Sequence, residues 1–175
     1  MKQLLITAAI FALFILLFTS CAGIPKGATA VKPFAQEKYL GTWYEIARLD
    51  YSWERNLDNV TATYSLKENG DIKVDNKGYN YKKKKQERSI GKAKPAGDLN
   101  EGRLKVSFFG PFYSGYNVIA LDNEYQYALV AGRNTKYLWI LSRTKTLPES
   151  VKKDYLKKAE ALGYNTEELV WVKHD

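Results

Sequence analysis

From residue 43 onward the chain is built of short runs in which apolar and polar residues alternate, separated by turn residues. In 59–66, Val60, Ala62, Tyr64 and Leu66 share one face of an extended strand. Glu68-Asn69-Gly70-Asp71 follows as a turn, and Asn69-Gly70 is a strong hairpin signal. Ile72, Val74 and Asn76 then share a face. A weaker strand covers 86–93. In 103–108, Leu104, Val106 and Phe108 alternate cleanly. Segments 116–121, 125–131 and 137–142 complete the series, and 43–49 opens it. Eight strands at even spacing predict an antiparallel sandwich or barrel.

One segment has a different period. In 148–162, Val151, Tyr155, Ala159 and Leu162 fall on one helical face, while Lys152, Lys153, Lys157 and Lys158 fall mostly elsewhere. Pro148 suits the start of this helix and Gly163 its stop. A lone helix after eight strands cannot cover two sheets, so it packs outside a closed barrel. Segment 169–172 reads as a last short strand.

The N-terminus carries a different message. Lys2 precedes an apolar run, Leu4 to Phe18 broken only by Thr7, that ends in Thr19, Ser20 and Cys21. A basic start, a short apolar core and small residues at the cut make a secretory signal. The run is short for a bilayer span, which needs about 20 residues. Its end resembles a bacterial lipoprotein signal, in which Cys21 would become the lipidated first residue. Phe18 departs from the Leu that this signal often carries three residues before the cysteine. Ala22 stands where an Asp would retain the protein at the inner membrane, so the resemblance implies an outer-membrane anchor with the domain facing the periplasm. Several acyl chains make such an attachment stable. The chain divides into a removable signal over 1–20, a Pro- and Gly-bearing lipidated tether over 21–38, and one folded domain over 39–175.

Composition narrows the function. Cys21 is the only cysteine, so the core must hold without an internal disulfide. The formal charge is +8, which favours anionic partners. For an exported chain that means a membrane surface rather than nucleic acid. Enzyme chemistry has few tools here. The sole histidine, His174, stands next to the last residue, where mobility is expected, and no Ser-His-acid set, HExxH, CxxC or phosphate-binding Gly loop occurs. No metal or haem ligand set is present, so no cofactor is expected.

Gly41-Thr42-Trp43-Tyr44 heads the first strand. Asp122-Asn123-Glu124-Tyr125 lies between strands six and seven, and Arg143 ends strand eight. With eight strands and a following helix, these motifs resemble those of the lipocalins, over about residues 34–173. The second motif is partial, keeping Tyr125 and an acidic neighbour. The runs around Trp43, Phe108 and Trp139 are most similar to bacterial outer-membrane lipocalins and to the apolipoprotein D branch. The resemblance implies an all-β, eight-stranded up-and-down barrel, with Gly41, Trp43, Tyr125 and Arg143 as structural residues and Arg143 laid across the Trp43 indole.

A barrel of this size leaves room for one small ligand. Taking Arg143 over Trp43 as the fix for strand eight, Trp139 and Leu141 face inward. The apolar faces of the other strands add Val60, Ala62, Tyr64, Val74, Asn76, Leu104, Val106, Phe108, Tyr116, Val118, Ala128 and Val130. Tyr113, on the aromatic loop 109–115, and Trp53 are placed at the mouth, where such side chains could grip a ligand, dip into a membrane or meet a second copy in a homodimer. A mainly apolar lining with a few phenols and one amide suits a fatty acid or lysophospholipid. About a dozen buried methylenes would contribute on the order of 10 kcal/mol gross. Lys82 to Lys85 read as a solvated hairpin tip, or as a contact for phosphate headgroups. A siderophore binder would want several inward Lys or Arg, and a purely structural envelope protein would need no cavity.

Overall fold

The computed structural model describes residues 23–175. The signal reading and the lipidation of Cys21 lie outside the described residues. Eight strands form the barrel: β1 Gly41–Leu49, β2 Leu57–Leu66, β3 Ile72–Asn80, β4 Lys85–Pro95, β5 Arg103–Ser107, β6 Ser114–Leu121, β7 Tyr127–Ala131 and β8 Leu138–Ser142. Each pairs antiparallel with the next, and β1 pairs with both β2 and β8, which closes the ring. A ninth strand, β9 (Leu169–Trp171), pairs with β1 from outside. Up-and-down order gathers loops 50–56, 81–84, 108–113 and 132–137 at one end, the mouth. Loops 67–71, 96–102 and 122–126 lie at the other, the floor.

The strands fall where alternation put them, with edges displaced by a few residues. One such shift moves Tyr125, whose φ of 56° places it in the turn ahead of β7 rather than in a strand. Asp122 sets that turn: its side chain accepts the backbone N–H groups of Glu124, Gln126 and Tyr127.

Among the described residues two α-helices accompany the barrel, α1 (Gln36–Tyr39) and α2 (Glu149–Ala161). Pro148 caps the start of α2. At its end, Gly163 takes φ +82°, its N–H donates to the Glu160 carbonyl, and the Tyr164 N–H donates to the Ala159 carbonyl. Tyr155 and Ala159 are buried against an outer-wall cluster with Ile46, Leu129, Leu138 and Ile140.

The segment expected to be a tether is part of the packed unit from early on. Ala30 and Phe34 are buried, and Val31 exchanges backbone bonds with Val118 and Gly102. The boundary expected at residue 39 therefore falls inside packed structure. At the other terminus His174 is docked, not free. Its Nε2 lies 2.8 Å from the Glu45 carbonyl and its ring meets Tyr44 edge-on. The tail fills a gap where β1 and β2 part: Val172 N–H donates to the Ile46 carbonyl, and Asn59 N–H donates to the Lys173 carbonyl.

Candidate functional site

The floor is built first. Trp43 is fully buried, and its Nε1 donates to the Tyr39 carbonyl at 2.9 Å. The Arg143 guanidinium lies 3.9 Å from the centre of the Trp43 ring. It also donates to the carbonyls of Lys38, Leu40, Thr42 and Tyr125. Burial lowers its pKa. Gly41 has φ +92°, and a Cβ there would sit 3.3 Å from Arg143 Nη1, so glycine suits this motif position on two counts. Phe34 packs beside Tyr39 and Tyr125 under the same end. The expected Arg143–Trp43 stack is thus present.

Above the floor, three phenols join. Tyr116 Oη is 2.7 Å from Tyr39 Oη and 2.9 Å from Tyr64 Oη. Burial raises the pKa of all three, so they are neutral hydroxyls.

The lumen wall follows. Tyr64, Val74, Val118 and Leu141 are buried in one inward cluster, with Val106, Phe108, Tyr116 and Trp139 packed against it. Asn76 lies on the same face, paired with Ala62 and Ser89. Its Oδ1 is buried without a partner. Several inward positions are not sealed: Ala62, Asn76, Val106 and Phe108 are half-buried, and Ser89 is exposed. Side chains filling a solid core would cover these positions. Gly91 leaves room for Phe108, since a Cβ there would come within 2.8 Å of its ring.

Tyr113 departs from the expected lining. It lies outside the barrel, its ring 5.2–5.8 Å from the amines of Lys92, Lys94 and Lys105. Those lysines alternate with inward Ala93, Leu104 and Val106, so loop 108–113 folds Tyr113 back over the outer face of β4 and β5. Phe109 and Phe112 stay exposed, as does Trp53, which packs on Phe109 at 5.2 Å. Lys82 to Lys84 form the tip of the β3–β4 hairpin and Lys85 opens β4, with Lys83 paired to Glu87 at 3.0 Å.

The upper lumen holds charge where an apolar lining was expected. Glu45 faces inward opposite Leu141, and a bulge between Glu45 and Ala47 then turns Arg48 inward opposite Trp139. Arg48 Nη1 donates to Glu45 Oε1 at 2.8 Å, and Nη2 donates to the Leu57 carbonyl. From loop 50–56, Glu54 accepts a hydrogen bond from Trp139 Nε1 at 3.0 Å, and Tyr51 meets the Trp139 ring edge-on. Burial, reinforced by Glu54, pushes the Glu45 carboxyl well above the usual range despite Arg48. Burial likewise raises Glu54 against the pull of Trp139, Tyr51 and Arg48. Strand alternation from Trp43 points to Glu45, but only the bulge reveals Arg48 and only the folded loop reveals Glu54.

Among the described residues no three His, Cys, Asp or Glu side chains gather as a metal site. No described helix is long and apolar enough to cross a membrane.

Known proteins fit this architecture. The model of the lipocalin-like domain matches residues 35–174. The outer membrane lipoprotein Blc of Citrobacter freundii is 51% identical over 173 residues, which span 99% of this chain and 98% of the relative. The protein of the same name from Escherichia coli (strain K12) is 49% identical over the same shares. Apolipoprotein D of Rattus norvegicus is 37% identical over 66% of this chain and 64% of its own. Insecticyanin from the tobacco hornworm Manduca sexta has the same fold, with a TM-score of 0.70, 20% identity and 88% of each chain covered. The cockroach allergen Per a 4 superposes at 0.68, with 21% identity, over 89% of this chain and 96% of that one. An eight-stranded closed barrel with its floor latched by Arg143 over Trp43, matched along nearly its whole length by that family's model and by close bacterial relatives, places this chain in the lipocalin family.

Proposed function

We propose that the protein binds a monoacyl lipid, a fatty acid or a lysophospholipid, in the barrel lumen and stores or carries it at the bacterial outer membrane, without catalysing a reaction. The reading rests above all on the inward residues Ala62, Val106 and Phe108, which face the interior of a closed barrel and yet are only half-buried. An acyl tail would run between these side chains toward the neutral phenols of Tyr64 and Tyr116. The bacterial relatives' names support the outer-membrane location; in this reading Cys21 is the lipidated residue and the domain faces the periplasm. The exposed Trp53, Phe109 and Phe112 at the mouth would bury against a second copy or the membrane interface.

Titration with a fluorescent acyl probe tests this, because Trp139 lines the lumen and should be quenched. Saturable quenching that is largely lost in Trp139→Phe is the expected result. The absence of any saturable signal would remove the lipid reading, and undiminished quenching in the variant would remove the lining. Mass spectrometry of protein purified without delipidation should find a monoacyl lipid.

A further inference from the structure

The upper lumen brings two carboxyl groups to one guanidinium. Arg48 is spent on Glu45, while Glu54 takes only a neutral indole N–H from Trp139 and the Tyr51 phenol at its side. The other charged groups nearby do not cancel Glu54. Asp50, on the same loop, pairs with exposed Arg55. Glu87, inward on β4, pairs with Lys83 at the rim. A second feature marks this place as unfinished: Arg48 is 1% exposed, yet its Nε–H has no acceptor. A buried donor without a partner is costly, and a ligand head with both donor and acceptor atoms would complete it.

We infer that Glu54 is a specificity-determining residue, admitting an acyl chain whose polar end both donates and accepts hydrogen bonds, a hydroxyl, over one that ends in a carboxylate. The inference rests on the lipid-binding reading above and refines it. A free carboxylate could satisfy the Arg48 Nε–H, but it would be the third carboxyl group facing one guanidinium in a low-dielectric space. Its entry is linked to proton uptake by Glu45 or Glu54, towards which burial already biases both, so the penalty on a carboxylate grows as pH rises. A glyceryl head carries acceptors for Arg48 and donors for Glu54, and needs no proton.

Calorimetry with decanoate, 1-monodecanoylglycerol and decylammonium holds the tail nearly constant and varies the head. At pH 7.5 the glyceryl ester should bind at least tenfold more tightly than decanoate, and more tightly than decylammonium, which has no acceptor for Arg48. Glu54→Gln should close the gap between ester and decanoate by about tenfold, mainly through tighter decanoate binding. Without any variant, decanoate affinity should fall between pH 6 and pH 8, as the proton it needs becomes scarce, while ester affinity stays flat. Equal affinities for decanoate and ester in the unmodified protein would overturn the assignment, as would an unchanged ratio in Glu54→Gln. Absence of heat with all three ligands would instead overturn the lipid-binding reading on which it rests.

Discussion

Replacing Arg143 tests the floor of the barrel. The side chain donates to four backbone carbonyls, at 2.8 Å to Lys38 and Leu40, 2.9 Å to Thr42 and 3.2 Å to Tyr125, and covers the Trp43 ring at 3.9 Å. Charge-assisted bonds are worth more than neutral ones, but the guanidinium is half-buried and water can replace part of what it gives. Counting about 0.5–1 kcal/mol for each bond leads to ~2–4 kcal/mol. The ring contact contributes ~1 kcal/mol at this exposure. Arg143→Ala should therefore cost about 3–4 kcal/mol, since bonds that order the same loop do not add fully. Arg143→Lys keeps the charge but lacks the planar fork, so it should recover less than half of the loss. Urea unfolding followed by tryptophan fluorescence reads this directly. With a slope of about 2 kcal/mol per molar, the alanine midpoint should fall by roughly 1.5–2 M at unchanged slope. A shift below about 0.5 M, or a lysine variant as stable as the parent, would refute the latch argument.

Gly41→Ala should cost about 1–2 kcal/mol, because φ +92° strains any other residue and the new Cβ presses on Arg143; a lowered thermal midpoint checks this. Ala62→Trp should block the lumen, abolishing acyl-probe binding while the thermal midpoint holds or rises, and unimpaired binding would move the ligand elsewhere. The raised carboxyls predict a pH effect of definite sign. Above the ordinary carboxylate range the folded state retains protons at Glu45 and Glu54 that the unfolded chain has lost, so their contribution weakens as pH rises through the folded values. Glu54→Gln should accordingly gain stability relative to the parent at pH 8 and little at pH 5, measured as the difference in urea midpoints. Removing residues 169–175 should destabilise the barrel by several kcal/mol, because the tail covers Leu57 and Val60 and bonds to both β1 and β2.

Much of this was legible because strand alternation is a strict rule where one face is buried. Ile72, Val74 and Asn76 are inward because a single residue of slip would turn Lys73 and Asp75 into the core. The same rule placed Leu104, Val106 and Phe108. It fails where the backbone departs from it. The β1 bulge exchanges Ala47 for Arg48 at the inward position, and nothing in Glu45-Ile46-Ala47-Arg48 announces an extra residue. Tyr113 stands on the aromatic loop, and a loop has no parity to fix its direction; three lysines on the outer face hold its ring. Phe34 was hidden in a segment with no period, since a plug under a barrel needs only one buried ring.

Arg48 and Glu54, which escaped the alternation rule, add charge to the upper lumen. An all-apolar cup would accept any acyl chain and distinguish heads only at its rim. Here the Trp139 indole packs against the inward apolar cluster and ties its N–H to Glu54, so the apolar wall and the charged upper lumen share one side chain. Moving Trp139 would disturb both. Glu54→Gln leaves the indole partner in place while removing the titratable carboxyl. Only Glu54→Gln therefore isolates the head-group site: Trp139→Phe should weaken all three ten-carbon ligands, and Glu54→Gln should change their order at nearly unchanged tail contacts.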